Sequence, residues 1–143
     1  MTSDTEAPQR PLPAPDACTQ FFWDGAKAGE LRIQRCNQCE HLIHYPQPVC
    51  PRCLSTDLGW TRVSGRATVY TFTEAVQAFH PFFEAQLPYL LAVVELPEQA
   101  GLRMMTQLVD CDVADAAIDM AVEVTFLPVS DEITLPLFRP VVG

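Results

Sequence analysis

Four cysteines in the stretch CNQCEHLIHYPQPVCPRC, residues 36–53, restrict the possible fold more than any other feature of this chain. They form two pairs, Cys36 with Cys39 and Cys50 with Cys53, and ten residues separate the pairs. A Cys-x-x-Cys turn places two thiolates on one side of the backbone, and two such turns supply the four soft ligands that zinc takes at tetrahedral corners. The spacing therefore predicts a four-cysteine metal site, with iron as an alternative to Zn²⁺.

Two other uses of paired cysteines fit the chain less well. A thioredoxin-like redox pair needs a βαβ setting, and no such pattern surrounds either pair. A disulfide framework needs an oxidising compartment, whereas residues 1–17 carry acids and four prolines instead of the basic start and apolar run of a secretory signal. We therefore expect a cytoplasmic protein in which these thiols bind metal.

The predicted metal has a structural role. Four thiolates complete a tetrahedral shell and leave no position for water or substrate. His41 and His44 lie in the spacer between the pairs and are weaker candidates for the same shell. No glycine-rich phosphate loop, GxSxG elbow or HExxH motif occurs in the sequence, so we name no catalytic residue.

The second half of the chain reads as a small β domain. Strands rich in β-branched or alternating apolar residues are predicted at 69–73, 89–96, 102–109, 121–126 and 133–138. The last of them contains Pro136, which suits only an edge or a strand end because proline lacks an N–H. Five short strands without room for repeated crossover helices favour an antiparallel barrel or sandwich.

The remaining segments complete a provisional division of the chain. Residues 1–17 are polar and proline-rich and are predicted to be a disordered tail. An aromatic-flanked segment at 18–34 is predicted to be helical, the zinc ribbon covers 35–62, and the β domain covers 63–140.

A long connection between the first two predicted strands, QAFHPFFEAQLPY at residues 77–89, is unusually rich in aromatic residues. Phe79, Phe82, Phe83 and Tyr89 either cover the core or are covered by a partner or ligand. Because clustered exposed aromatics often anchor interfaces, these four residues are candidates for binding a partner.

The charge of the chain is unevenly distributed. Residues 1–66 carry seven basic and seven acidic groups, whereas residues 67–143 carry two basic groups against eleven acidic ones. The second part would repel a phosphate backbone, which argues against nucleic-acid binding. The longest apolar run, at 89–94, is far too short to cross a bilayer, so no membrane span is expected.

The order of these parts resembles a known family. FFWDGAKAGELRIQRC leads into the cysteine stretch, followed by GWTRVSGRATVYTFT, PYLLAVVEL and LPLFRP. The combination is similar to the family that joins a rubredoxin-like zinc ribbon to an OB-fold and is associated with acyl-CoA metabolism. The resemblance spans about residues 18–140 and assigns the metal to Cys36, Cys39, Cys50 and Cys53. Family members often have glycine after each knuckle, where this chain has Glu40 and Leu54.

The resemblance implies a mainly β protein with an N-terminal helix, a four-cysteine ribbon and a five-stranded OB-fold barrel. It also implies a non-catalytic accessory subunit that forms a hetero-oligomer with a thiolase-superfamily enzyme, a thiolase or a retro-aldolase acting on acyl-CoA thioesters in steroid side-chain or fatty acyl degradation. The partner would supply the catalytic residues.

Three alternatives stay open beside this implication. The first is a subunit of a MaoC-like enoyl-CoA hydratase complex. The second is direct acyl-CoA binding, for which six basic residues are available: Lys27, Arg32, Arg35, Arg52, Arg62 and Arg66. The third is a single-stranded nucleic-acid module, since OB-folds often bind oligonucleotides, and the acidic second half disfavours it.

Overall fold

The computed structural model describes residues 9–141. Its helices and strands are, in chain order, α1 (Gln20–Lys27), β1 (Leu31–Cys36), β2 (Leu42–Ile43), β3 (Leu58–Val63), β4 (Arg66–Ala75), α2 (Pro81–Glu84), β5 (Tyr89–Glu95), β6 (Arg103–Leu108), β7 (Ala121–Pro128) and β8 (Thr134–Pro140). A single 3₁₀ turn covers Val113–Asp115. Within the described range no helix is both long enough and apolar enough to span a bilayer.

Strands β1, β2 and β3 form a small antiparallel sheet with β1 in the centre. Strand β2 is only two residues long. Beyond it, the buried side chain of Gln34 makes the hydrogen bonds that a longer β2 would make with β1. The Gln34 amide donates to the carbonyl oxygen of Gln47 and accepts from its backbone N–H, both at 2.8 Å. A side-chain amide thus imitates the two hydrogen bonds of a strand pair and holds the returning segment against β1.

Strands β4 to β8 form a closed barrel in the order β4-β5-β6-β8-β7. Alternate residues point inward, as in β5, where every second side chain is buried. Val69, Val94, Val122 and Phe138 are fully buried in the centre. The predicted mainly β fold, with an N-terminal helix, a four-cysteine ribbon and a five-stranded barrel, is confirmed.

The barrel is weakest where β6 meets β8 in parallel. These strands pair only at Leu108 and Phe138, next to a 2.8 Å bond from the Val109 N–H to the Phe138 carbonyl. Further along, the Pro136 carbonyl faces β6 and accepts the Thr106 hydroxyl at 3.2 Å. Proline has no N–H to give to β6, so the seam opens there. Pro136 therefore lies within a strand, and its nitrogen, which has no hydrogen to donate, faces the open seam.

Helix α1 and a loop from the barrel connect the two parts of the molecule. Phe22 of α1 is buried in the same apolar core as the barrel residues. On another side, the Gln99 side chain accepts from the Leu42 N–H and donates to the Leu42 carbonyl, each at 2.9 Å. The ribbon is thereby attached to the barrel through both apolar packing and paired hydrogen bonds.

The segment predicted as helical at 18–34 divides differently in the structure. Helix α1 ends at Lys27, and Gly29, at a φ of +80°, turns the chain into β1. The ribbon sheet therefore begins before residue 35 and includes β3, a strand that the sequence pattern does not predict. Of the tail predicted as disordered, residues 1–8 lie outside the described range. In the part that is described, Arg10 packs over the Phe82 ring at 4.6 Å.

Candidate functional site

The four cysteines of the two knuckles converge at the end of the ribbon sheet. All four Sγ atoms lie within 4.8 Å of one another. The Sγ atoms of Cys36 and Cys53 are 3.5 Å apart, and those of Cys39 and Cys50 are 3.7 Å apart. Sulfur atoms at tetrahedral corners around zinc, each at about 2.3 Å, are about 3.8 Å apart. The arrangement therefore fits one tetrahedral ion with four thiolate ligands.

The backbone of each knuckle is shaped for this purpose. The N–H of Glu40 donates to the Cys36 carbonyl and that of Leu54 to the Cys50 carbonyl, both at 2.9 Å. Glu40 and Leu54 adopt φ values of +66° and +64°. This left-handed conformation favours glycine, which explains the glycine seen at these positions in the resembling family. The chain makes the same turn with residues that are less suited to it.

Backbone N–H groups also stabilise the thiolate form. The N–H of Cys39 donates to Cys36 Sγ at 3.5 Å and that of Gln38 at 3.4 Å. The hydrogen bond from Cys39 is the main cause that lowers the pKa of the Cys36 thiol to about 6. A thiol must lose its proton to bind a metal, so the turn prepares Cys36 for that role. Neither His41 nor His44 belongs to the cluster of potential ligands.

The four aromatic residues predicted to bind a partner differ in packing and exposure. Phe83 packs edge-on against Phe82 and obliquely against Tyr89, with ring centroids 5.0 and 5.4 Å apart, and all three rings are half-buried. Phe79 stands apart, with 91% of its surface exposed. The His80 side chain accepts from the Phe82 N–H at 3.1 Å and caps α2, which fixes the base of the loop. The structure thus separates a packed aromatic cluster from one protruding ring.

Several of the basic residues considered for acyl-CoA binding have acidic neighbours. Arg32 and Arg62 both pair with Glu30, at 3.0 and 3.5 Å, and Arg35 pairs with Glu40. Arg32 also lies over the Trp60 ring at 4.1 Å. These three guanidinium groups are therefore partly neutralised on the ribbon surface, which leaves less charge for phosphate groups.

Sequence reasoning missed an apolar cavity of about 310 Å³ between α1, the segment after β2, and the open seam of the barrel. Its walls come from four separated parts of the chain, so no local motif announces it. The one sequence signal for this cavity was Pro136, because a residue without an N–H predicts an interruption in strand pairing.

Comparison with known proteins matches two family models to consecutive parts of the chain. Residues 23–59 match the model described as "ChsH2, rubredoxin-like zinc ribbon domain". Residues 60–127 match the model described as "ChsH2, C-terminal OB-fold domain". The cysteine cluster therefore lies in a zinc ribbon, and its metal is structural zinc, as the sequence indicates.

A solved structure described as "Ltp2-ChsH2(DUF35) aldolase" contains a similar chain. The two chains share 39% identity and superpose with a TM-score of 0.81, over 90% of this chain and 98% of that one. The 3-oxo-4,17-pregnadiene-20-carboxyl-CoA hydratase alpha subunit of Mycobacterium tuberculosis is 38% identical over 128 residues, which are 90% of this chain and 39% of that protein.

An archaeal relative has a comparable length. The DUF35 domain-containing scaffold protein of Methanocaldococcus jannaschii is 34% identical over 99 residues, 68% of each chain. By contrast, this chain spans about two fifths of the length of the hydratase alpha subunits it matches. The matched ribbon and OB-fold models, together with these relatives, establish that the chain belongs to the ChsH2/DUF35 family of zinc-ribbon and OB-fold proteins.

Proposed function

We propose that this chain is a non-catalytic accessory subunit that binds and stabilises a thiolase-superfamily enzyme, a thiolase or a retro-aldolase acting on acyl-CoA thioesters. The observation that carries the proposal is the likeness to the ChsH2(DUF35) chain described together with an Ltp2 aldolase, over 98% of that chain. The word "scaffold" in the description of the archaeal relative supports the same role. The partner supplies the catalytic residues, and the complex is a cytoplasmic hetero-oligomer.

The zinc in this function holds the ribbon and takes no part in the reaction. Four thiolates fill its shell, so acyl-CoA cannot reach the metal without displacing a ligand. Any contact with acyl-CoA occurs through the complex. The aldolase and the hydratase named for two relatives both act on carbon chains. We therefore assign a steroid side chain or a fatty acyl chain as the substrate class of the partner.

The aromatic loop at 77–89 is the surface we assign to the partner. Phe79 and Val76 are 91% and 70% exposed, and Phe82, Phe83 and Tyr89 pack against one another in the same loop. An exposed aromatic on a fixed base loses little conformational entropy when it is buried. Nucleic acid is disfavoured as a partner because eleven of the thirteen charged groups in residues 67–143 are acidic.

Co-expression with a candidate thiolase or aldolase tests the proposal. The partner should co-purify with this chain, and its activity or thermal stability should fall when the chain is omitted. Phe79→Ser should weaken the complex by tenfold or more, as expected for an aromatic anchor. Ile118→Ser, at a position that is 60% exposed on another loop, is the matched control and should leave the affinity unchanged. A partner that neither co-purifies nor changes in activity would reject the proposal.

A second candidate function is a subunit of an enoyl-CoA hydratase. Its support is the hydratase alpha subunits, 38% and 41% identical to this chain, which match 90% and 93% of it. The match covers about two fifths of those proteins, so the hydratase chemistry can lie in the part that this chain does not match. Co-expression with a MaoC-like hydratase separates the two candidates, because only the true partner should be retained through gel filtration.

A further inference from the structure

The apolar cavity beside helix α1 belongs to neither the metal centre nor the aromatic loop. Its walls come from one face of α1, from the segment that follows β2, and from the β6 and β8 sides of the open seam. The lining residues are Thr19, Phe22, Trp23, His44, Tyr45, Pro46, Met104, Met105, Thr106, Leu135, Pro136 and Leu137. At about 310 Å³ it has the size of the smaller ligand sites in proteins.

The cavity exists because the seam is held open by specific contacts. The N–H of Met105, which would face β8 in a complete ladder, donates instead to the Tyr45 hydroxyl at 2.9 Å. The Pro136 carbonyl on the opposite strand is occupied by the Thr106 hydroxyl. One backbone group on each edge of the gap is thus satisfied by a side chain instead of by the opposite strand.

Two polar side chains in the wall retain unused hydrogen-bonding capacity. His44 lies beside Tyr45, with ring centroids 4.0 Å apart. Neither ring nitrogen of His44 has a hydrogen-bond partner among the described residues, and both are covered from solvent. The Tyr45 oxygen accepts from Met105, which leaves its own hydrogen free to donate. Because the His44 nitrogens have no surface that opens into the cavity, the Tyr45 hydroxyl is the group of this pair that can meet a ligand.

We propose that this cavity binds a compact, uncharged and largely apolar molecule that carries one hydroxyl group. The apolar body packs against Phe22, Trp23 and Met104, and the hydroxyl oxygen accepts the hydrogen of the Tyr45 hydroxyl. A hydroxyl oxygen accepts hydrogen bonds, so it takes the Tyr45 hydrogen without adding a charge to the cavity.

The electrostatics of the cavity exclude a carboxylate in the same position. No lining residue carries a full charge unless His44 is protonated. Burial lowers the pKa of His44 to about 4, so the ring is neutral near pH 7. An anion would therefore lose its hydration without gaining an ion pair, which is costly in an apolar site. The methionines at 104 and 105 adapt to ligands of different shape.

Three small molecules of matched shape test the proposal on the full chain with its zinc bound. The probes are 2-naphthol, naphthalene and 2-naphthoate, each titrated into ¹⁵N-labelled protein at neutral pH. We expect 2-naphthol to shift backbone amides at 19–23, 44–46, 104–106 and 135–137, and to bind about tenfold more tightly than either other probe. No saturable shift, shifts at other residues, or equal binding of the three probes would overturn the proposal.

A conservative variant identifies the hydroxyl contact. Tyr45→Phe keeps the ring and removes its polar atom, so it should weaken 2-naphthol about tenfold and leave naphthalene unchanged. Tyr70→Phe, at an exposed position on the barrel surface, is the matched control and should change neither affinity. Unchanged binding of 2-naphthol to folded Tyr45→Phe would refute the assigned contact, and folding is checked from the dispersion of the same amide spectra.

Discussion

Acidification should destabilise this protein through one buried histidine. His44 has an ordinary pKa of 6.5, and burial lowers it to about 4 in the folded chain. The unfolded chain therefore binds a proton more readily than the folded one between these two values. The stability contributed by neutral His44 is complete above pH 6.5, falls as the pH drops, and is fully lost below about pH 4.

The size of the effect follows from the difference between the two pKa values. Each pH unit corresponds to about 1.4 kcal/mol, so the full loss is about 3 kcal/mol. Between about pH 7.5 and about pH 5 the linkage relation gives a loss of about 2 kcal/mol. No charged side chain lines the cavity beside the ring, and its ring neighbours are Phe22 and Tyr45, so no fixed charge offsets the cost of protonation.

Urea unfolding at the two pH values measures this loss in the wild-type chain and in His44→Phe. The variant should lose the part of the pH dependence that belongs to His44. The fall in the free energy of unfolding between the two pH values should therefore be about 2 kcal/mol smaller in the variant than in the wild type. Loss of zinc at acid pH would affect both chains and cancels in the comparison, and zinc content is measured at each pH. Tyr70→Phe, at an exposed position on the barrel surface, is the control and should retain the wild-type pH dependence.

Equal pH dependence in wild type and His44→Phe would refute the reasoning. The same holds if the His44 ring resonances titrate near pH 6.5 in the folded protein, because the ring would then be hydrated or hydrogen-bonded. A titration near pH 4, together with the reduced slope in the variant, would establish both the burial and its energetic consequence.

Three further predictions concern the frame of the molecule. A strong chelator should remove about one zinc per chain and abolish amide exchange protection at 31–63 while the barrel amides stay protected, because the ribbon buries too little apolar surface to fold alone. Phe138→Ala, at a fully buried position, should lower the free energy of urea unfolding by about 3–5 kcal/mol. Gly65→Ala should lower the melting temperature more than Gly101→Ala: both have φ near +80°, but a Cβ at residue 65 would meet Val124 at 2.5 Å, whereas residue 101 has open space.

The metal centre could be predicted from sequence because its information is local. Each Cys-x-x-Cys turn is formed by a few consecutive residues, and four thiolates bind few metal ions other than zinc. The barrel strands were predictable for a similar reason, since the apolar residues that alternate in 121–126, Val122, Val124 and Phe126, are those that pack in or against the core. Both patterns can be recognised without knowledge of the rest of the fold.

Features that depend on distant segments could not be predicted in the same way. Strand β3 is recognisable only through its pairing with β1, and its sequence, LGWTRV, has a glycine and a mixed pattern of exposure. Phe79, before the His80 cap, is exposed, whereas Phe82, after the cap, packs against Phe83, and nothing in the local sequence separates the two phenylalanines. The cavity needs four segments at once, and only their assembled positions show that they enclose a space.

The zinc centre and the cavity are connected by a short length of backbone. The N–H of Cys36 bonds to the His41 carbonyl at 3.0 Å, which closes the first knuckle onto the start of β2, and β2 ends one residue before His44. Gln34 on β1 then holds Gln47 just beyond the cavity wall. The segment that carries His44 and Tyr45 is therefore anchored on one side by the knuckle and on the other by a buried amide. A metal that performs no chemistry thus fixes the geometry of the cavity that we propose as a ligand site, and zinc loss should abolish that cavity before it unfolds the barrel.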